Sequence, residues 1–274
     1  MKTRQFTLLR CRREGVEAVA ADTARVFGRH THEQFGVGLI ARGAQKSASG
    51  RGVVEAGAGD IITVNPGEVH DGTPIGDGGR SWRMLYLDPV TVDDLVSDVA
   101  EGRTASAFEF TAPAIRDPRL AILFRRLFQA MTCRDAGQDG LEADETLLLF
   151  LGSLLRPRSE GRPSVPAAIA SARALIDDDP VSPVTLTTLT TLAREAGLSR
   201  YQFLRSFARA TGLTPHAYLM QRRIHRARRL IGRGMRLADV AAASGFSDQS
   251  HMTRLFVRSF GMAPGTYAKA LGSA

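Results

Sequence analysis

Two groups of side chains in this 274-residue chain have types and spacings that can do chemistry. The first is His30-Thr31-His32, with His70 further on. Imidazoles two apart on a strand share a face, and a third can join them. Such a set can ligate a transition metal or line a small-molecule pocket, with Trp82 a further pocket candidate. The second group is Arg200, Tyr201, Gln202 and Arg205, followed by Gln249, Ser250, His251 and Arg254. Tyr201 and Arg205 are four apart, as are Ser250 and Arg254, so each pair shares a helix face. Arginine can donate two hydrogen bonds to a guanine edge, and glutamine can pair with adenine. Tyr201 can pack on a thymine methyl or bond a phosphate. Arg205 can equally make an ion pair or a phosphate contact. His251 is either a phosphate contact or a plain exposed helix residue.

The elements that must position the second group are written twice. Phe207, Gly212, Pro215 and Tyr218 recur as Phe256, Gly261, Pro264 and Tyr267, an offset of 49 residues. Upstream the offset is 48: Leu192-Ala193 matches Val240-Ala241, and Gly197 matches Gly245. A repeat of this content reads as two helix-turn-helix units. In the first, a helix over Leu186–Glu195 ends at Gly197, and Ser199 caps a helix over Arg200–Thr211. In the second, Leu237–Ala243 precedes Gly245, and Asp248 or Ser247 caps a helix from Gln249 to Phe260. Phe203, Phe207, Met252 and Phe256 face the core. Between the units, Pro215–Gly232 reads as one long helix. Its arginines are partly a solvated face and partly phosphate anchors, the structural share being the larger. A rigid connector would hold two recognition helices about one DNA turn, ~34 Å, apart.

Charge agrees with the repeat. The formal net charge is +8, yet residues 167–274 hold 15 Lys/Arg and 6 Asp/Glu, against 21 and 22 in residues 1–166. The excess positive charge sits on the repeat, as a polyanion-binding module requires. Cys11 and Cys133 form no metal-binding pattern and read as reduced thiols in a cytoplasmic protein. They also speak against a repair fusion, which needs a reactive cysteine cluster. The N-terminus lacks the apolar stretch of a secretory signal. Leu147–Leu155 is too short to span a bilayer, so no membrane partner is expected.

Before residue 90 the chain is rich in short alternating runs. Gly36–Ala41, Gly52–Glu55, Asp60–Val64 and Trp82–Leu87 read as strands of a small barrel. Phe35, Ile61, Met84 and Tyr86 join Trp82 as pocket or core residues. Leu120, Leu123, Phe124, Leu127, Phe128 and Met131 fall at helical spacing. Leu141–Leu155 is a second apolar helix. The two helices can pack on the barrel or pair with a second copy; some of each is expected. Arg156–Pro166 carries three prolines and reads as a linker. The expected organisation is therefore 1–115 barrel, 116–155 helical dimerisation segment, 156–166 linker and 167–274 tandem helix-turn-helix domain.

The string from Gly245 to Phe256 (GFSDQSHMTRLF), followed by Gly261 and Pro264, resembles the signature of the AraC/XylS family of bacterial transcription regulators. Leu192-Ala193, Leu198-Ser199, Phe207, Gly212, Pro215, Tyr218 and Ala227 agree in the first half, so the resemblance covers about 100 residues. It implies seven helices in this part and sequence-specific binding to double-stranded promoter DNA, most often for activation with RNA polymerase. Leu204 and Ser206 leave the first recognition helix few polar readers, so the first unit leans towards shape and phosphate contacts. The N-terminal part resembles the cupin-like sensor of such regulators: a jelly-roll barrel that binds a small effector, followed by helices for homodimerisation. On this reading His30, His32, His70 and Trp82 are effector-binding residues. Metal-binding cupins add a glutamate three or four residues past the second histidine, where this chain has Phe35 and Gly36; Glu33 and Glu68 are poorly placed substitutes. Neither a metal nor a cofactor is expected, and the protein reads as a regulator, not an enzyme. The alternative is a metal-dependent cupin enzyme with a DNA-binding tail.

Overall fold

The computed structural model describes residues 6–99, 108–132, 140–154, 166–182, 186–195 and 197–272. Cys133, Leu155 and all of the expected linker except Pro166 lie outside the described residues. The chain divides into two compact units, Met1–Glu160 and Gly161–Ala274. Among the described residues, no helix is long and apolar enough to cross a membrane.

The first unit is an antiparallel β domain with helices on one side. Its strands are β1 (Phe6–Leu9), β2 (Val16–Thr23), β3 (Phe27–His30), β4 (Phe35–Arg42), β5 (Ala44–Ser49), β6 (Gly52–Gly57), β7 (Ile61–Val64), β8 (His70–Ile75), β9 (Arg80–Leu87) and β10 (Ala114–Ile115). One sheet has the order β1-β2-β9-β4-β7-β10 and the other β3-β8-β5-β6. Two antiparallel sheets in this arrangement make the expected jelly-roll barrel.

Strand alternation divides the unit into two cores. On β9, Leu85 and Leu87 join Val16, Ala18, Val37 and Leu39 in a core shared with the helices. Trp82 and Met84 point the other way, with Ala21, Phe27, Ile40 and Ala56, and Tyr86 packs beside them. Phe35 and Ile61 fall in the helix-side core. They are therefore core residues of a different layer from Trp82, which narrows the set of possible pocket residues.

The helices are α1 (Pro89–Val99), α2 (Pro118–Thr132) and α3 (Gly140–Leu154). α1 seats Val92, Leu95 and Val96, at i, i+3 and i+4, in the helix-side core. α2 buries Leu120, Ala121, Phe124, Leu127, Phe128, Ala130 and Met131. α3 adds Leu147, Phe150, Leu151 and Leu154 to the same core. The Phe124 and Phe150 rings meet with centroids 5.7 Å apart, each burial contributing about 1.5–3 kcal/mol. Most of the apolar surface of α3 is thus covered within its own unit, chiefly by α2 and α1, with Leu149 left 66% exposed. An ion pair between Arg13 and Asp144 and a bond from the Arg12 N–H to the Met131 carbonyl tie the early chain to these helices.

The second unit is all helix: α4 (Ala167–Asp178), α5 (Leu186–Glu195), α6 (Arg200–Thr211), α7 (Pro215–Gly232), α8 (Leu237–Ala243), α9 (Gln249–Phe260) and α10 (Pro264–Leu271). The repeat is structural as well as textual. Phe207 meets Tyr218 with ring centroids 5.7 Å apart, and Phe256 meets Tyr267 at 5.6 Å. Gly212 and Gly261 both end their helices at φ 77°, the left-handed conformation that closes a helix. Pro215 and Pro264 both sit in the first turn of the next helix, where a missing N–H costs nothing.

Candidate functional site

The recognition helices are aimed by their caps. Ser199 starts α6 with a capping box: its hydroxyl accepts from the Gln202 N–H at 3.2 Å, and Gln202 Oε1 accepts from the Ser199 N–H at 2.9 Å. Asp248, not Ser247, caps α9, accepting from the His251 N–H at 2.7 Å. That hydrogen bond is the main reason the Asp248 carboxyl is held below its ordinary pKa. Gly245 makes the turn before α9 at φ 80°. A Cβ there would come within 3.0 Å of the Val181 carbonyl oxygen and 2.9 Å of Arg223 Nε, so the turn needs glycine for both conformation and space.

α9 buries Met252 and Phe256 and turns Gln249, Ser250 and Arg254 to solvent. Gln249, Ser250, Thr253 and Arg254 line one shallow open depression. Thr253 was not among the expected readers, though it lies four residues from Gln249 on the same face. His251 is half-buried, its ring edge-on to Phe246 at 5.4 Å. On α6, Arg205 is exposed beside Leu204, which is 38% exposed. Gln202 is exposed but has its amide oxygen committed to the cap. The side chains of Arg200 and Tyr201 lie outside the described residues.

The connector arginines hold the domain together. Arg223 donates to the carbonyls of Pro180 at 2.7 Å and Val181 at 2.9 Å. Arg226 donates to Ala243 at the end of α8, 2.8 Å away. Arg222 pairs with Asp177 at 2.9 Å, and Arg228 lies over Phe260 and Tyr267. Arg226 thus caps the end of α8 and Arg223 holds the loop carbonyls after α4.

In the first unit, β3–β8 register sets His30 opposite His70. The His30 and His70 rings lie 4.3 Å apart, and His32 is 5.0 Å from His30 and 5.2 Å from His70. His30 and His32 are buried and His70 half-buried. Burial, with the neighbouring His70, pushes the His30 pKa down to about 3. Burial also pushes His70 down to about 4. Both rings are therefore neutral at ordinary pH. The Tyr86 ring lies tilted against His32, with centroids 4.9 Å apart.

Beyond Phe27 the same interior holds Arg80, 1% exposed. Its guanidinium donates to Gln45 Oε1 at 2.8 Å, the Arg25 carbonyl at 3.0 Å and the Gly72 carbonyl at 3.3 Å. It lies 4.8 Å from the Trp82 ring. Burial without a carboxylate partner among the described residues lowers its pKa to about 10. Trp82 is thus packed by Arg80, Phe6 and Phe27.

A second polar assembly escaped the sequence reading. Arg51 donates to Glu68 Oε1 at 2.8 Å, to the Thr63 hydroxyl and carbonyl, and to the Phe110 carbonyl at 2.9 Å. Asn65 exchanges two hydrogen bonds with the Phe110 backbone. The network braces the turn that carries Glu68 towards His70. Cys11 is chemically quiet: burial, with Glu17 adding to it, pushes its thiol pKa up to about 12.

Comparison with known proteins agrees with both halves. Residues 15–151 match the AraC-like ligand binding domain, and residues 192–270 match a helix-turn-helix domain. An HTH-type transcriptional regulator of Bacillus subtilis, YbfI, is 27% identical over 82% of this chain and 81% of its own length. The transcriptional activator NphR of Rhodococcus is 42% identical, over 30% of this chain and 24% of its own length. Among solved structures, ToxT of Vibrio cholerae with an unsaturated fatty acid bound aligns over 100% of this chain and 99% of its own, with TM-score 0.58 and 13% identity.

Proposed function

The chain belongs to the AraC family of transcription regulators, and on that premise we propose that a small molecule bound inside its barrel controls its binding to promoter DNA. The observation that carries the DNA part is the exposed face of α9, where Gln249, Ser250, Thr253 and Arg254 share one depression behind a glycine turn and an aspartate cap. A helix so capped can enter a major groove with its first turns on the base edges. Arg254 reads guanine and Gln249 reads adenine. α6 enters an adjacent groove segment, with Arg205 its described polar contact. Arg200, Tyr201 and Gln202 add contacts at its start, and His251 does so on α9.

The effector part rests on polar groups set beside the apolar residues of the barrel interior. His30 and His70 offer neutral imidazoles with the His32 ring beside them, and Arg80 beside Trp82 offers a buried cation. Occupancy shifts the balance between states of the full chain that differ in DNA affinity. The protein acts as a cytoplasmic homodimer on two copies of a site and activates through RNA polymerase. It is a regulator, not a cupin enzyme, and the histidine cluster serves sensing.

Selection of bound sequences from a random duplex library with the full chain tests this reading. A single enriched pattern, bound with an affinity that falls linearly with the logarithm of salt concentration, is the expected result. Recovery of no pattern, with equal binding to every duplex, would overturn sequence-specific recognition.

A further inference from the structure

We infer that His30, His32 and His70 form a binding site for one divalent transition-metal ion inside the barrel. Its use as an input to DNA binding rests on the regulator reading above; its capacity to hold the ion does not. One ring nitrogen from each of the three residues lies within 4.8 Å of the others. Imidazole nitrogens bind zinc at about 2.0–2.1 Å, so two ligands of one ion stand roughly 3.4 Å apart in a tetrahedral shell. An ion would therefore have to draw the three nitrogens closer together on binding.

The hydrogen bonds already select the ligand atoms. His30 Nδ1 lies 2.8 Å from the Gly28 carbonyl oxygen, and His70 Nδ1 lies 3.1 Å from the Glu68 carbonyl oxygen. A carbonyl only accepts, so in both rings Nδ1 carries the hydrogen and donates. The Nε2 lone pairs are then the groups available to an ion. Bracing of the distal nitrogen by a backbone carbonyl is how proteins orient metal-ligating histidines. The β3–β8 register fixes the backbone under His30 and His70, while His32 sits in the connection between β3 and β4.

The donor set also says which ion and what else it takes. Imidazoles suit zinc, copper, nickel and cobalt, whereas magnesium and calcium want oxygen. Glu68 does not complete the shell. Its Oε1 accepts from Arg51 Nε at 2.8 Å and its Oε2 from the Asn65 N–H at 3.0 Å. Three neutral ligands leave the ion's double charge uncompensated and at least one position open. That position takes an anionic oxygen, such as the carboxylate of a small effector. The ion would then act as the receptor group of the sensor.

The test uses the full chain, stripped with a chelator, dialysed and titrated with Co²⁺. Visible d–d absorption that saturates at one equivalent and is abolished by Zn²⁺ is the expected result. His70→Gln, checked for folding by circular dichroism, should weaken binding by more than about a hundredfold, beyond the loss typical of outer-shell changes. Nitrogen hyperfine splitting in the Cu²⁺-loaded wild type needs no substitution and should report coordinated imidazole. Failure to bind one equivalent, binding that His70→Gln leaves unchanged, or a copper spectrum without imidazole nitrogen would each overturn the site. None of these readouts involves DNA, so the regulator reading stands or falls separately.

Discussion

The two helix-turn-helix units share a scaffold and differ in what they show to solvent. Phe207 meets Tyr218 and Phe256 meets Tyr267 at centroid distances of 5.7 and 5.6 Å, with the ring planes at 79° and 56°. Both recognition helices start at an oxygen-bearing cap and end at a left-handed glycine. On α9 the outward residues of the first turns are Gln249, Ser250, Thr253 and Arg254. On α6, Leu204 is exposed and the Gln202 carbonyl is turned back to its own cap. Buried positions answer to packing and caps, which a repeat must keep. The outward positions are free of that constraint. On the proposed function this contrast would make the second unit the reader of bases, with the first supplying phosphate and shape contacts that fix the register.

The largest expected effects test the shared scaffold. Phe207→Ala and Phe256→Ala should each cost about 3–5 kcal/mol of stability, as deletion of a fully buried ring does. Denaturant melts of the two variants should agree closely; a mild effect for one alone would break the equivalence of the cores. Next, Arg254→Ala should cost about 1–3 kcal/mol on the preferred sequence and relax selection at one base pair. Arg205→Ala should instead weaken all duplexes alike and lower the salt slope by about 1. Competition binding at several salt concentrations separates the two patterns. Smaller still, Ser199→Ala and Asp248→Ala should each cost about 1 kcal/mol of stability, read by thermal melts. Leu204→Ala, at an exposed site, should stay within about 0.5 kcal/mol in stability. A larger loss would give Leu204 a packing role and reduce the contrast between the two faces.

Local signals made the second unit readable from sequence. Gly197, Ser199, Gly212 and Pro215 each act on the one or two residues beside them, and their positions recur in the second copy. The helix spans α5 to α9 follow from such punctuation and from apolar spacing. The barrel is different, because its contacts join distant residues. β4, β6, β7 and β9 fall on the expected runs, but β1, β2, β3, β5, β8 and β10 are not among the sequence expectations. Their register comes from partners up to 71 residues away, as between Val16 and Leu87. α1 had a readable signal, with Val92, Leu95 and Val96 at helical spacing.

The candidate sites divide in the same way. Gln249, Ser250 and Arg254 could be placed on one helix face by counting, and Thr253 belonged to the same count. His30 and His32 were visible as a pair. Nothing in the spacing between His30 and His70 says that β3 and β8 pair there. Arg51 reaching Glu68 and the Phe110 carbonyl, 59 residues along the chain, is equally silent in one dimension. The alternation of β9 could have separated Trp82 from Leu85, but only the pairing of two sheets shows that Phe35 and Ile61 face the helix side.

The central claim, that the second unit reads bases while the first holds the backbone, is tested most directly by comparing random-library selections for the wild type, Arg254→Ala and Arg205→Ala. The account predicts that Arg254→Ala loses preference at one position of the enriched pattern, and that Arg205→Ala recovers the wild-type pattern with uniformly weaker binding. Loss of a base preference in Arg205→Ala, with an unchanged pattern in Arg254→Ala, would contradict it.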